Sequence, residues 1–184
     1  MSQQSFHIGE QLLVETSVAP IDANHVRRVL ERRYANGWIV LHEVANHLGA
    51  MATIRDQVDA DRLRVHDVEA KRYLDTVAVG MYRATDYEIL GHEIKVTRAD
   101  WLAELRQPRK AQAFAHLVSR FYVVAPPDVV RLDELPPGWG LLRFHPSRLT
   151  LARQAEYHEV AIPRSWIASL LARAVKPVCV QRAD

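Results

Sequence analysis

A single cysteine, Cys179, occurs in the 184 residues, which excludes an intramolecular disulfide framework and any multi-cysteine zinc site. Its scarcity fits a reducing, cytoplasmic compartment, and Cys179 itself, in a short apolar run, reads as a small packed hydrophobe. No apolar stretch approaches the roughly 20 residues of a membrane-spanning helix, so no membrane partner is expected. The opening Met1-Ser-Gln-Gln-Ser5 lacks the basic-then-apolar pattern of a secretory signal. No repeat and no low-complexity tract is present. An excess of one charge is missing too: 24 Lys and Arg stand against 22 Asp and Glu, a formal +2. That balance lends a nucleic-acid partner no support, although a basic face can hide within it. What is present is ordinary for a soluble globular protein, 48% hydrophobic and 25% charged. The length suits one domain over 1–184, with a core over about 22–155 and a C-terminal helix over about 163–176.

Periodicity assigns the elements. Residues 1–20 read as an extended lead. Pro20 with Asp22 or Asn24 announces a helix over about 23–36, striped by Val26, Val29, Leu30 and Tyr34 and stopped by Gly37. Trp38–Val44 reads as a strand. Residues 45–71, charge-dense from Asp56 to Lys71, read as an insertion. Two β-branched runs follow, Arg72–Val79 and Tyr87–Val96, with a turn near Ala84–Asp86. Thr97-x-x-Asp100 is a capping-box-like start for a helix bearing Trp101, Leu102 and Leu105. Pro108 can open another helix, with Ala111, Phe114, Ala115 and Val118 inward. Phe121–Ala125, free of charge, reads as a strand buried on both faces. Gly140–Phe144 and Leu149–Ala152 make a hairpin. Pro163 opens a last helix with Trp166, Ile167, Leu170 and Leu171 inward, closed by Pro177.

The chemistry centres on Asp75 and on Glu93-Ile94-Lys95. Side chains alternate along a strand, so Glu93 and Lys95 share a face and Ile94 takes the other. If the two strands are hairpin neighbours, two carboxylates and an ammonium converge. Hard oxygen ligands and a fixed cation are what metal-assisted phosphodiester hydrolysis needs.

Asp followed, one strand later, by Glu-x-Lys resembles the signature of the PD-(D/E)XK nuclease superfamily. The likeness extends through Gly91–Leu105, Pro108, Lys110, Phe121–Pro127 and Glu134–Gly140. In that order the blocks resemble small phage and bacterial nucleases of the MmcB-like kind, a group tied to DNA repair. Tyr73-Leu74 precedes Asp75 where the superfamily pattern has a proline, a position that varies within it. The resemblance covers roughly residues 22–155. It implies an α/β, restriction-endonuclease-like three-layer core, with a mixed central sheet flanked by helices in the order α-β-β-β-α-β. It also implies Mg²⁺ or Mn²⁺ held by Asp75, Glu93 and the Ile94 carbonyl. Lys95 would orient or deprotonate the water, or stabilise the pentavalent phosphorus.

Glu43, ending the first strand, is a candidate third acid for the metal shell; Glu31 is a weaker competitor, read with Arg27, Arg28 and Arg32 on a solvated helix face. His42-Glu43-Val-Ala-Asn-His47 nearly spells a zincin motif. Its second histidine falls at i+5 instead of i+4, rotated by roughly 100° on a helix, and the segment reads as strand and turn. His92 alternates away from the acids and is expected to be packed or hydrogen-bonded. Lys110, Arg98 and Arg109 are the candidate nucleic-acid contacts, within a basic set that also holds Arg106 and Arg120. Trp101 and Trp139 read as core or turn anchors. Together these residues point to a metal-dependent nuclease acting on DNA in repair, recombination or phage DNA processing. A homodimer or a partner protein is left open. Two other readings stay open: a non-catalytic nucleic-acid-binding or adaptor protein on the same fold, and a nuclease subunit active only with a partner.

Overall fold

The computed structural model describes residues 21–45, 73–106 and 114–175. Among them, three α-helices and six strands build an α/β fold in three layers. In chain order they are α1 (Ala23–Arg33), β1 (Trp38–Ala45), β2 (Tyr73–Gly80), β3 (Ile89–Ile94), α2 (Arg98–Arg106), β4 (Arg120–Ala125), β5 (Gly140–His145), β6 (Arg148–Arg153) and α3 (Arg164–Ala174).

The strands lie in the sheet in their sequence order. β1, β2 and β3 are antiparallel neighbours, β3, β4 and β5 are parallel, and β5 and β6 form an antiparallel hairpin. Parallel neighbours need long connections. Residues 95–119, which include α2, supply the first, and residues 126–139 the second.

Period-two alternation in the strands sends alternate residues to opposite faces. On one face α1 lays Val26, Val29 and Leu30 against Ala78, Leu90, Ile94, Tyr122, Val124 and Phe144. On the other, Trp101 of α2 and Trp166 of α3 pack with Val77, Ile89, Phe121, Val123 and Leu141. β4 is covered on both sides, and Phe121–Ala125 are all buried. α1 starts where Asp22 accepts the His25 N–H at 2.6 Å, a cap that satisfies an otherwise orphaned donor. The chain then reverses at Gly37, whose φ of 82° suits a residue without Cβ. Thr97 caps α2 as its spacing predicts, its hydroxyl accepting the Asp100 N–H at 3.1 Å.

One helix face differs from expectation. In α3, Trp166 and Ser169 are buried, while Ile167 is 45% and Leu171 58% exposed. The inward stripe runs through Trp166, Ser169 and Leu170, so Ile167 and Leu171 fall on the outer side. Tryptophan brings the largest apolar surface, and its burial sets the rotation. The insertion over 45–71 apart from Ala45, Ala111, Pro108, Pro177 and Cys179 lie outside the described residues, as does the start of the helix expected after Pro108.

Candidate active site

The ladder between β2 and β3 runs from Val79↔Ile89 to Thr76↔His92 and stops. Beyond it β2 still pairs with β1, as far as Ala45↔Tyr73, while β3 follows β4 to Ile94↔Val124. Carrying both registers one row past His42↔Thr76↔His92 brings Glu43, Asp75 and Glu93 abreast on three adjacent strands. Where β2 and β3 part, the Asp75 side chain replaces the missing backbone acceptor: the Ile94 N–H donates to Asp75 Oδ2 at 2.8 Å. The parting opens a cavity of about 370 Å³ lined by Asp75, Glu93, Ile94, Lys95, Asp100, Ala103 and Glu104.

Alternation also breaks at this row. Leu41 and Val44, three residues apart, pack in the same core cluster, as do Leu74 and Val77 on the partner strand; regular strands would send each pair to opposite faces. Glu43 sits between with φ at 53°. A non-glycine residue held there costs on the order of 1–3 kcal/mol and tends to mark functional positions.

Two carboxylates and an ammonium do converge, in a setting drier than a solvated strand face. Lys95 Nζ donates to Glu93 Oε1 at 2.7 Å and to Glu104 Oε2 at 2.8 Å. The three side chains are 11%, 17% and 11% exposed in that order. Burial raises the Asp75 pKa, against the Ile94 N–H and the charges of Lys95 and Arg27. Burial also raises Glu93, and the Asp75 charge adds to it, with Lys95 opposing. For Lys95 burial works downward, but Glu93 and Glu104 outweigh it and raise its pKa, so it stays an ammonium.

Glu43 shares an arginine with Asp75 and is already paired. Arg27 reaches Glu43 Oε1 at 3.2 Å and Asp75 Oδ1 at 3.7 Å, and Arg173 reaches Glu43 Oε2 at 3.4 Å. Among the described residues no three Asp, Glu, His or Cys side chains form a metal-holding group. Asp75 and Glu93, two hard carboxylates whose charge burial and proximity disfavour, nevertheless fit a divalent cation. Ile94 lines the same cavity, and the bond its backbone makes to Asp75 is through its N–H.

Two further residues belong to the site although the sequence pattern does not place them there. Arg27 is not on a solvated face: its side chain is 20% exposed, and its Nε is buried without a partner among the described residues. Its place beside Val26, at the border of the apolar stripe of α1, is the one signal for it. Glu104 has none, since only the packing of α2 brings it to Lys95.

The remaining candidates are held elsewhere. Arg98 donates to Glu134 through both terminal nitrogens, and to the Val129 carbonyl at 3.0 Å. Its hydrogen bonds pull the Glu134 pKa down to about 2. Glu134 also accepts the Trp101 indole N–H at 3.0 Å, so a phosphate would have to displace a structural network to use Arg98. Arg120 donates to Glu88 and, at 2.8 Å, to the Ala155 carbonyl. Arg109 and Lys110 lie outside the described residues. His42 is in β1, not on a helix, with Nε2 2.8 Å from Glu31 and Nδ1 3.0 Å from Thr76 Oγ1, and His47 lies outside the described residues. His92 is fully buried with its Nε2 2.9 Å from the Tyr34 hydroxyl; burial lowers its pKa to about 3, so it is neutral.

No protein-family model matches the chain, and no curated protein matches it. Among solved structures, a protein of unknown function from Silicibacter pomeroyi is similar, with a TM-score of 0.51 and 21% identity over 83% of this chain and 80% of that one. A likeness at that identity establishes a shared fold and nothing about chemistry.

Proposed function

We propose that the protein is a divalent-metal-dependent DNA nuclease. One observation carries the reading: Asp75 and Glu93 meet at the point where β2 and β3 part, with the Lys95 ammonium 2.7 Å from Glu93. Four carboxylates line the cavity, from Asp75, Glu93, Asp100 and Glu104, against one ammonium. A phosphodiester would be repelled from such a cavity unless further positive charge entered with it. Asp75 and Glu93 would hold Mg²⁺ or Mn²⁺, which when bound supplies an activated water and offsets charge on the phosphate. Asp75 is oriented for this by the Ile94 N–H, which fixes one oxygen and leaves the other toward Arg27. The carboxylates flanking Lys95 favour charge stabilisation over proton abstraction as its role, because they keep it protonated.

The test is incubation with single-stranded, double-stranded and branched DNA and with RNA, in Mg²⁺ or Mn²⁺ and in chelator. Cleavage of DNA that chelator abolishes is the expected result. Metal binding without cleavage would point to a subunit that needs a partner; neither binding nor cleavage would leave a non-catalytic binding protein on this fold.

Glu43 is best read as acting through Arg27, since both its oxygens are paired with arginines. Glu43→Gln frees Arg27 to turn fully to Asp75. The expected result is a Mn²⁺ half-saturation a few-fold higher, in keeping with partly exposed pairs. Adding Arg27→Gln should reverse that loss. A direct Glu43 ligand would leave the double variant as weak as the single one, which a Mn²⁺ titration of each protein would reveal.

A further inference from the structure

We infer that Glu104 is a positioning residue that keeps the Lys95 ammonium in place when Glu93 turns to a divalent cation; the inference rests on the nuclease reading above. Lys95 lies one residue beyond β3, its N–H donating to the Val124 carbonyl at 3.0 Å. Its backbone is therefore fixed, but four methylenes separate that anchor from Nζ, and a lysine stem has ample rotamer freedom. Among the described residues two contacts hold the ammonium, Glu93 at 2.7 Å and Glu104 at 2.8 Å. A cation on the Glu93 carboxylate would compete for the same oxygens and repel Nζ. The Glu93 contact is thus the one that the proposed chemistry weakens, and Glu104 is the anion left to hold Lys95.

Glu104 is suited to that task because α2 is pinned. Trp101, three residues earlier, is fully buried and donates to Glu134, and Arg98 is tied to the same carboxylate and to Val129. Asp100, one turn before Glu104 on the cavity side, is engaged at the start of the helix instead: its Oδ2 accepts the Thr97 hydroxyl at 2.7 Å. Glu104 is itself only 11% exposed, so the pair with Lys95 is shielded from solvent, where it is screened least.

Glu104→Gln keeps the shape and removes the charge. The decisive measurement is nitrogen-resolved NMR of lysine ammonium groups, which shows an ammonium only while it is held and protected from exchange. In the wild type the Lys95 signal is expected both without and with Mg²⁺. In Glu104→Gln it should persist without Mg²⁺, where Glu93 holds it, and vanish on adding Mg²⁺. Calorimetry should give the same Mn²⁺ affinity for both proteins. With DNA, kcat should fall about 100-fold with KM unchanged, the scale of a small misplacement of a reacting group.

A Lys95 signal that survives Mg²⁺ in Glu104→Gln would overturn the inference, as would one already absent without Mg²⁺. A fall in Mn²⁺ affinity would overturn it in favour of Glu104 as a ligand. The parent reading fails differently: the wild type itself would neither bind Mn²⁺ nor cleave, and the positioning role would fall with it. A wild type that binds Mn²⁺, beside a variant with an unaltered Mg²⁺ response, would reject Glu104 alone.

Discussion

Asp75→Asn with Glu93→Gln is expected to abolish Mn²⁺ binding while making the metal-free protein more stable at alkaline pH. The two carboxylates lie in one cavity, and no multi-cysteine or multi-histidine group competes for the ion among the described residues. Amides keep the volume, and the carbonyl oxygen of the introduced asparagine remains an acceptor for the Ile94 N–H, which would otherwise be left unpaired at about 1–3 kcal/mol. Calorimetry reads the binding, and undiminished Mn²⁺ affinity in this variant would sink the assignment. The stability effect follows from the direction of the pKa shifts. Both groups have folded-state values above their ordinary 3.8 and 4.5. Their contribution is therefore full below those ordinary values, and it is lost as pH rises through the higher folded values. Neutral amides escape that loss. In chelator the thermal midpoint of the variant should match the wild type near pH 4 and exceed it at pH 8. Saturating Mn²⁺ should reverse the order, because only the wild type binds the ion and ligand binding stabilises the state that binds. A gap independent of pH would show that the carboxylates are not held at disfavoured charge. This is the usual trade between a poised site and stability.

Lys95→Met is expected to lower the cleavage rate by about 10²–10³-fold, the scale seen when a charge-stabilising donor is removed from a transition state. It should also destabilise the fold, contrary to what a lysine on a solvated strand face would do. Lys95 is only 11% exposed, and its loss leaves Glu93 and Glu104 facing one another without a cation. Removing one partner of a buried charge network costs about 3 kcal/mol. Mn²⁺ on Glu93 should return part of that stability without restoring activity, which separates the charge balance of the site from the role of the ammonium. Single-turnover cleavage and thermal melts with and without Mn²⁺ check both halves. Wild-type rates in the Met variant would make Lys95 a structural cation and deprive the nuclease reading of its best residue.

Much of this arrangement is legible in the order of the residues. Val26, Val29 and Leu30 repeat with helical spacing and are the buried face of α1; the charge-free run Phe121–Ala125 is the buried centre of the sheet. The successive β-branched runs that carry Asp75 and Glu93, joined by a short turn, do pair antiparallel. These features are local or nearest-neighbour, and a few residues encode them. The inward face of α3 is not legible in the same way, because Ile167, Leu170 and Leu171 offer two overlapping stripes, and only the burial of Trp166 chooses between them.

Helix and strand periods, the turn at Gly37, the cap at Thr97 and the shared face of Glu93 and Lys95 are written in the order of the residues. Packing settled what remains, including the meeting of Asp75 with Glu93 and Lys95 in one cavity. It set where β2 and β3 part, and so made the cavity. It broke the alternation at Glu43 and brought Arg27 to Asp75 and Glu104 to Lys95. It also removed enough water to raise the pKa of both carboxylates. The reason is one of range. Periodicity and capping act over a few residues along the chain, whereas desolvation and ion pairing depend on which distant segments exclude solvent together, and that is fixed only once the sheet and its two helical layers have packed.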